Sequence, residues 1–310
     1  MSASRRITID AEYVIPEAAA CYLRIEKNEA AFVETNTAHA APRLLAALRE
    51  AGLRQEQVRW IVVTHAHLDH AAGAWALLRA CPDATLVAHP RAARHLIDPQ
   101  RLVASATAVY GAERFAQLYG SLEPIPAGRV RTVEEGETLD LGGAPLRFLH
   151  TRGHANHHVV IHDPAAATVY TGDTFGIAYP RLQRAGRFAF ASTSPTDFDA
   201  AAARESVDRI LALGAAEACL THFGAIGDLE ETAAQLHWWI DRSEALLEEA
   251  IPLEPVEAER RLLAGVWAAM EEAAARRGLA LDEGDRSLLA LDVELNAQGL
   301  AWVASKRRGV

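Results

Sequence analysis

Cysteine is scarce: Cys21, Cys81 and Cys219 are the three in 310 residues, and none forms a C-x-x-C pair. That excludes a disulfide framework and leaves the thiols as small buried apolar groups of an intracellular protein. Lysine is nearly missing, at 27 and 306 only, while arginine and alanine abound, which reads as codon bias without functional content. Nowhere do ~18 apolar residues run together, so neither a membrane-spanning helix nor a membrane partner is expected. Arg5 and Arg6 near the start are followed by Asp10 and Glu12 instead of an apolar stretch, so no secretory signal is visible and a cytoplasmic location is expected. The net charge of −10 would repel a polyphosphate strand, which argues for a small-molecule substrate and against nucleic acid.

Against these absences stands one dense stretch. Thr64-His65-Ala66-His67-Leu68-Asp69-His70 places three imidazoles and a carboxylate within six residues, directly after the apolar run Trp60-Ile61-Val62-Val63. Imidazole nitrogen and carboxylate oxygen suit a borderline divalent ion such as zinc, and the alternation at 65 and 67 lets two rings converge from an extended segment. Chance would give such a string at a frequency on the order of one in a thousand. Three more candidates follow strand-like segments: His154 after Gly153, Asp173 after Thr171-Gly172, and His222 after Thr221.

In this order the residues resemble the metallo-β-lactamase-fold superfamily over about residues 7 to 228. Gly153-His154-Ala155-Asn156-His157-His158 and Thr171-Gly172-Asp173-Thr174 are similar to the branch containing hydroxyacylglutathione hydrolases and lactonases. The resemblance implies an α+β fold: a four-layer αβ/βα sandwich, here with a C-terminal helical segment. It also implies two divalent metal ions, zinc first, with manganese or iron accepted by the same donors. His65, His67 and His154 would hold one ion and Asp69, His70 and His222 the other, with Asp173 bridging. Asp69 would also serve catalysis, orienting the nucleophile or passing a proton. No cysteine stands at a ligand position, where antibiotic-degrading relatives often use one.

Strand-like patterns fall near 20–25, 30–35, 58–64, 84–88, 146–150, 157–161, 167–171 and 217–221, with helical patterns at 41–51, 71–80, 90–97, 99–120 and 198–213. The stretch 157–171 reads as a hairpin returning Asp173 toward His154. Thr196 or Asp197 reads as the cap of the helix that follows. From about Leu229 the composition changes to three helices, roughly 229–250, 256–277 and 285–305. Two parts are therefore expected: a catalytic domain over 1–228, and a helical segment over 229–310 packed on the core and roofing the site, with Trp238 or Trp239 as candidates to line it.

Thr64, Thr171, Thr221 and His158 are expected to support the ligands by hydrogen bonding. Strand alternation would turn His157 to the opposite face from His158. His39, His89, His95, His150 and His162 lack a motif partner and read as structural or exposed. In the loop after Asp173, Tyr179 could donate to a developing oxyanion and Arg181 could bind a carboxylate or phosphate.

The resemblance implies a hydrolase in which a hydroxide bridging two metals attacks a small ester, thioester, lactone or phosphoester. Its rivals are a persulfide dioxygenase with one iron on two histidines and an aspartate, and an inactive metal-binding regulatory protein. A flavin-linked diiron reductase is disfavoured by His67. An exposed apolar helix face would favour a homodimer.

Overall fold

A computed structural model of the chain describes residues 4–193 and 197–309. These residues form two compact units that share the chain. The first takes the chain up to His150, then His157–Gly172 and Ala215–Ile226; the second takes Thr151–Asn156, Asp173–Gly214 and the chain from Gly227 on.

The first unit holds two mixed six-stranded sheets. One runs in sequence order through β1 (Arg5–Asp10), β2 (Ala20–Glu26), β3 (Glu29–Val33), β4 (Val58–Val62), β5 (Thr85–Ala88) and β6 (Val130–Thr132), antiparallel as far as β3 and parallel thereafter. The other orders β7 (Thr138–Leu141), β8 (Ala144–His150), β9 (Val159–Asp163), β10 (Thr168–Gly172), β11 (Glu217–Leu220) and β12 (Gly224–Ile226), with β10 and β11 its one parallel pair.

Period-two alternation sorts the first sheet's side chains onto two faces. Tyr22, Ala31, Val33, Trp60, Val62 and Val87 meet Leu139, Leu146, Phe148, Val159, Ile161 and Tyr170 of the second sheet. Leu23, Ile25, Phe32, Ile61, Val63 and Leu86 point the other way, onto α1 (Ala41–Glu50), α3 (Ala74–Ala80) and α4 (Pro90–Ile97) through Leu44, Leu48, Leu77 and Leu96. Emptying such a position, as in Phe148→Ala, would cost roughly 3–5 kcal/mol. Arg24 of β2 is fully buried, and its charge is matched: Nε donates to Asp163 Oδ2 at 2.5 Å and a terminal amine to Glu26 at 3.0 Å.

The second unit contains α7 (Ala200–Leu211), α8 (Leu229–Ala250), α9 (Pro255–Arg276) and α10 (Glu283–Arg308). Leu229, Leu236, Ile240 and Leu247 of α8 are buried, as are Val266 and Met270 of α9, whereas Leu263 is exposed. Among the described residues no helix is long and apolar enough to cross a membrane.

All eight expected strands exist, and the three C-terminal helices begin and end within three residues of expectation. β1, β6, β7 and β12 carry weak signals, being short or alternating with charged residues. The helix expected over 99–120 is two, α5 (Gln100–Tyr110) and α6 (Ala112–Tyr119), because Gly111 takes φ +76° between them. The helix expected over 71–80 starts earlier as α2 (Leu68–Ala71) and restarts as α3 after Gly73, where a β-carbon would lie 2.6 Å from the carbonyl oxygens of Thr35 and Thr37. The cap of α7 is Asp199, which accepts from Ala202 N at 3.0 Å; Asp197 instead accepts from Asn156 N, and Thr196 lies outside the described residues. All three cysteines are free and buried.

Candidate metal centre

In the first unit the buried run of β4 ends, and the chain continues extended through His65 to His67, whose ψ of 148° precedes the short helix α2 bearing Asp69 and His70. His65 and His70 are wholly buried. His65 Nδ1 lies 3.0 Å from Thr64 Oγ1, which leaves Nε2 facing His67 Nδ1 at 2.7 Å. His222 follows β11; its Nδ1 lies 2.8 Å from the carbonyl oxygen of Ala18. A carbonyl only accepts, so Nδ1 carries the proton and the Nε2 lone pair turns to Asp69, 3.4 Å away. Asp69, His70 and His222 each present one donor atom, and the three atoms lie within 4.8 Å of one another.

The backbone beneath these side chains is held by the turn after β3. Thr35 N and Oγ1 both donate to His70 O, and Asn36 Nδ2 donates to Asp69 O at 2.8 Å. Glu34, buried and at φ +66°, accepts from Thr64 N and brings its other oxygen to 3.4 Å from His70 Nδ1. A carboxylate at that distance faces the His70 ring and favours one orientation of it. Sequence reasoning missed Glu34, although an acid ending the buried run Ala30–Val33 is the same kind of signal as Asp173 after β10.

His158 is buried, its ring 4.9 Å from that of His65. His157 does not point away from it as alternation would require. It sits in the turn before β9, where that rule does not apply, and its ring lies 5.7 Å from His67 and 5.9 Å from His95. The His150 and His89 rings lie 4.3 Å apart, tilted by 52°, and His150 Nε2 meets Val133 O at 2.9 Å. Burial, then the neighbouring His150 and His157, push His89 down to about 4. The Thr171 hydroxyl donates to Cys219 O at 3.3 Å, and the Thr221 carbonyl accepts from Ala20 N. Thr171 thus ties its side chain, and Thr221 its backbone, to a neighbouring strand.

The second unit brings together His154 and Asp173, with Nε2 to Oδ2 at 3.4 Å. Gly153 takes φ +115°, and a β-carbon on it would lie 2.4 Å from the backbone of Ala203 in α7. Asp199 N donates to Gly153 O and Ser206 Oγ to Arg152 O, so the His154 loop is clamped to the start of α7. Arg152, His154, Asp173, Thr174, Ser192 and, from α8, Ile240 line one small recess. Among the described residues the Arg152 guanidinium has one partner, the neutral Asn156 Oδ1 at 3.3 Å. Arg181 donates to Asp285 at 2.8 Å and Asp282 at 2.9 Å, and Tyr179 donates to Asp292 at 3.2 Å, all of α10 or its cap. Trp239 packs in the core against Phe190, and Trp238 lies under the Arg276 guanidinium.

Two mixed sheets with helices, and histidines and aspartates gathered at strand ends, define a metal-binding α+β protein. Residues 16–222 match the family model described as the metallo-beta-lactamase superfamily, well over half of the chain, and the protein belongs to that superfamily. It is 33% identical over 127 residues to the metallo-beta-lactamase fold-containing protein ST1585 of Sulfurisphaera tokodaii, a match covering 39% of this chain and 46% of that one, and so under half of that relative's length. The crystal structure of ST1585 superposes with a TM-score of 0.66 at 22% identity, covering 95% of this chain and 97% of that one. TTHA1429 from Thermus thermophilus gives 0.60 at 20% identity (100% and 94%), and a structure titled as a peroxy diiron species of the chemotaxis sensor ODP gives 0.54 at 13% (76% and 91%). These structural likenesses concern the fold.

Proposed function

We propose that the chain is a dinuclear metal-dependent hydrolase of a small ester, thioester, lactone or phosphoester. The observation that carries this reading is the convergence of Asp69, His70 and His222 within 4.8 Å, beside the facing nitrogens of His65 and His67. Buried imidazoles with one nitrogen assigned to a hydrogen bond and the other presented inward are a donor set for a divalent ion. Covalent connection supports adding the remaining two ligands. Asp173 is peptide-bonded to Gly172, which is packed against His158 and Thr64, and His154 is three residues from His157.

Two divalent ions bound there would acidify a water and polarise the scissile carbonyl or phosphoryl oxygen. The chain's own residues do the rest. Ala18, Thr64 and Glu34 fix the faces that His222, His65 and His70 present. Asp69, partly open to solvent, can take a proton and deliver it to a leaving group. Arg152, with its charge unmatched by any acid among the described residues, can take an anionic part of the substrate. Ile240 of α8 lines the same recess as His154 and Asp173, so this helix stands beside those two residues.

The test is elemental analysis of protein purified without added metal, followed by an ester, thioester, lactone and phosphodiester panel. About two ions per chain, reduced in His65→Ala and Asp69→Ala, with hydrolysis of at least one substrate class, is the expected result. A single iron per chain, with oxygen uptake on a persulfide, overturns it, as does a metal-loaded protein silent on the whole panel.

A further inference from the structure

Helix α10 is apolar on two opposite faces. Leu289, Val293, Leu300 and Val303 are buried in the helical layer of the second unit. Leu288, Leu291, Leu295 and Trp302 occupy the far side, with Leu291 53% and Trp302 54% exposed. A surface helix that packs on one side needs only one apolar stripe. The spacing of the outer one is also specific: 288, 291, 295, 298 and 302 alternate steps of three and four, the spacing of a helix-pairing seam, with Gln298 as its one polar position.

We infer that this seam pairs with the same seam of a second copy of the chain, antiparallel and about a two-fold axis between residues 296 and 297. In that register Trp302 of each copy packs on Leu291 of the other, so the two most exposed apolar side chains of the helix cover one another. The charges at the helix ends select this occupant and this direction. The first turn carries Glu283 and Asp285; the last carries Lys306, Arg307 and Arg308. Arg307, Arg308 and Asp285 are engaged within the chain, with Glu248, the carbonyls of Ala250, Ile251 and Leu253, and Arg181 with Arg184 respectively. Glu283 and Lys306 are exposed and have no ion-pair partner among the described residues. Antiparallel pairing brings Lys306 within a helical turn of the second copy's Glu283 at both ends of the seam. Parallel pairing would set like charges and like helix ends together. A self-complementary surface of this kind is what an isologous dimer requires.

Sedimentation velocity of the full chain over a concentration series tests the pairing without reference to activity. A dimer is expected, with Leu291→Glu and Trp302→Glu each raising the dissociation constant by roughly thirtyfold or more. Both residues are exposed in the single chain, so circular dichroism should stay at its wild-type value, and the melting temperatures should coincide at concentrations low enough for wild type and variants alike to be monomeric. Lys306→Glu and Glu283→Lys are each expected to weaken the dimer roughly threefold, and the double exchange to restore it. A wild-type monomer at high micromolar concentration overturns the proposal, including the case where the seam serves a different protein. A dimer indifferent to both apolar substitutions overturns it too, and failure of the double exchange to restore pairing overturns the antiparallel register.

Discussion

A β-carbon added to Gly172 would lie 2.4 Å from His158 Nε2 and 2.6 Å from Thr64 Oγ1. The last residue of β10 is thus wedged between the hydroxyl beside His65 and the imidazole behind it, at φ +51°. Gly172→Ala is expected to destabilise the fold by roughly 2–4 kcal/mol, from left-handed backbone strain plus overpacking. Urea unfolding measures this; a cost below about 0.5 kcal/mol would mean that the packing around Thr64 and His158 yields easily.

Glu34→Gln keeps the shape of the side chain and its acceptor for Thr64 N while removing the charge 3.4 Å from His70. Metal affinity should fall roughly ten- to a hundredfold with the melting temperature of the metal-free protein little changed. Competition with a chromophoric chelator reads the affinity. An unchanged value would reduce Glu34 to a backbone anchor.

His89 gives a pH dependence of known sign. Its ordinary value is near 6.5, and in the fold burial first, then His150 and His157, hold it near 4. Between these values the unfolded chain binds the proton and the folded chain does not, so stability is complete above about 6.5 and is lost as pH falls toward 4. The loss should approach about 3 kcal/mol by pH 4, and His89→Asn should flatten this part of the stability profile in denaturant titrations.

Asp163→Asn leaves the fully buried Arg24 facing a neutral amide. Glu26 still faces the guanidinium at 3.0 Å, so the expected cost is roughly 1.5–3 kcal/mol, that of a lost hydrogen bond between charged groups. Arg24→Met added to it should recover much of the loss, since the pair sits in an otherwise apolar inter-sheet core. Chemical denaturation of the single and double variants tests this; a double variant weaker than Asp163→Asn would show that Arg24 contributes more than charge.

Much of the site could be read from the sequence because its residues end buried strands. The apolar runs before His65, Asp173 and His222 are β4, β10 and β11, and a polar residue at such an end must either meet solvent or be used. Glu34 escaped notice because its meaning depends on the parallel pairing of β3 with β4, which sets it beside Thr64 and His70, some 30 residues away in sequence. Arg181 and Tyr179 were misleading for the same reason. Their acidic neighbours Asp285 and Asp292 lie more than 100 residues downstream, and no local pattern announces them. His157 shows the other limit, since alternation holds only inside a strand and β9 begins two residues later.

The chain passes between its two units five times, and two of those passages, at His150–Thr151 and Gly172–Asp173, lead straight into the loops of His154 and Asp173. A fragment ending at residue 228 would keep every expected metal ligand, yet it would strip these two loops of their scaffold. Gly176, just past Asp173, packs on Leu236 of α8, and Thr193, just past Ser192, is bonded to Asn296 of α10. The motif therefore marks where the expected ligands sit along the chain but not how much chain is needed to hold them still, and the smallest segment able to hold these two loops as the whole protein does is close to the full length.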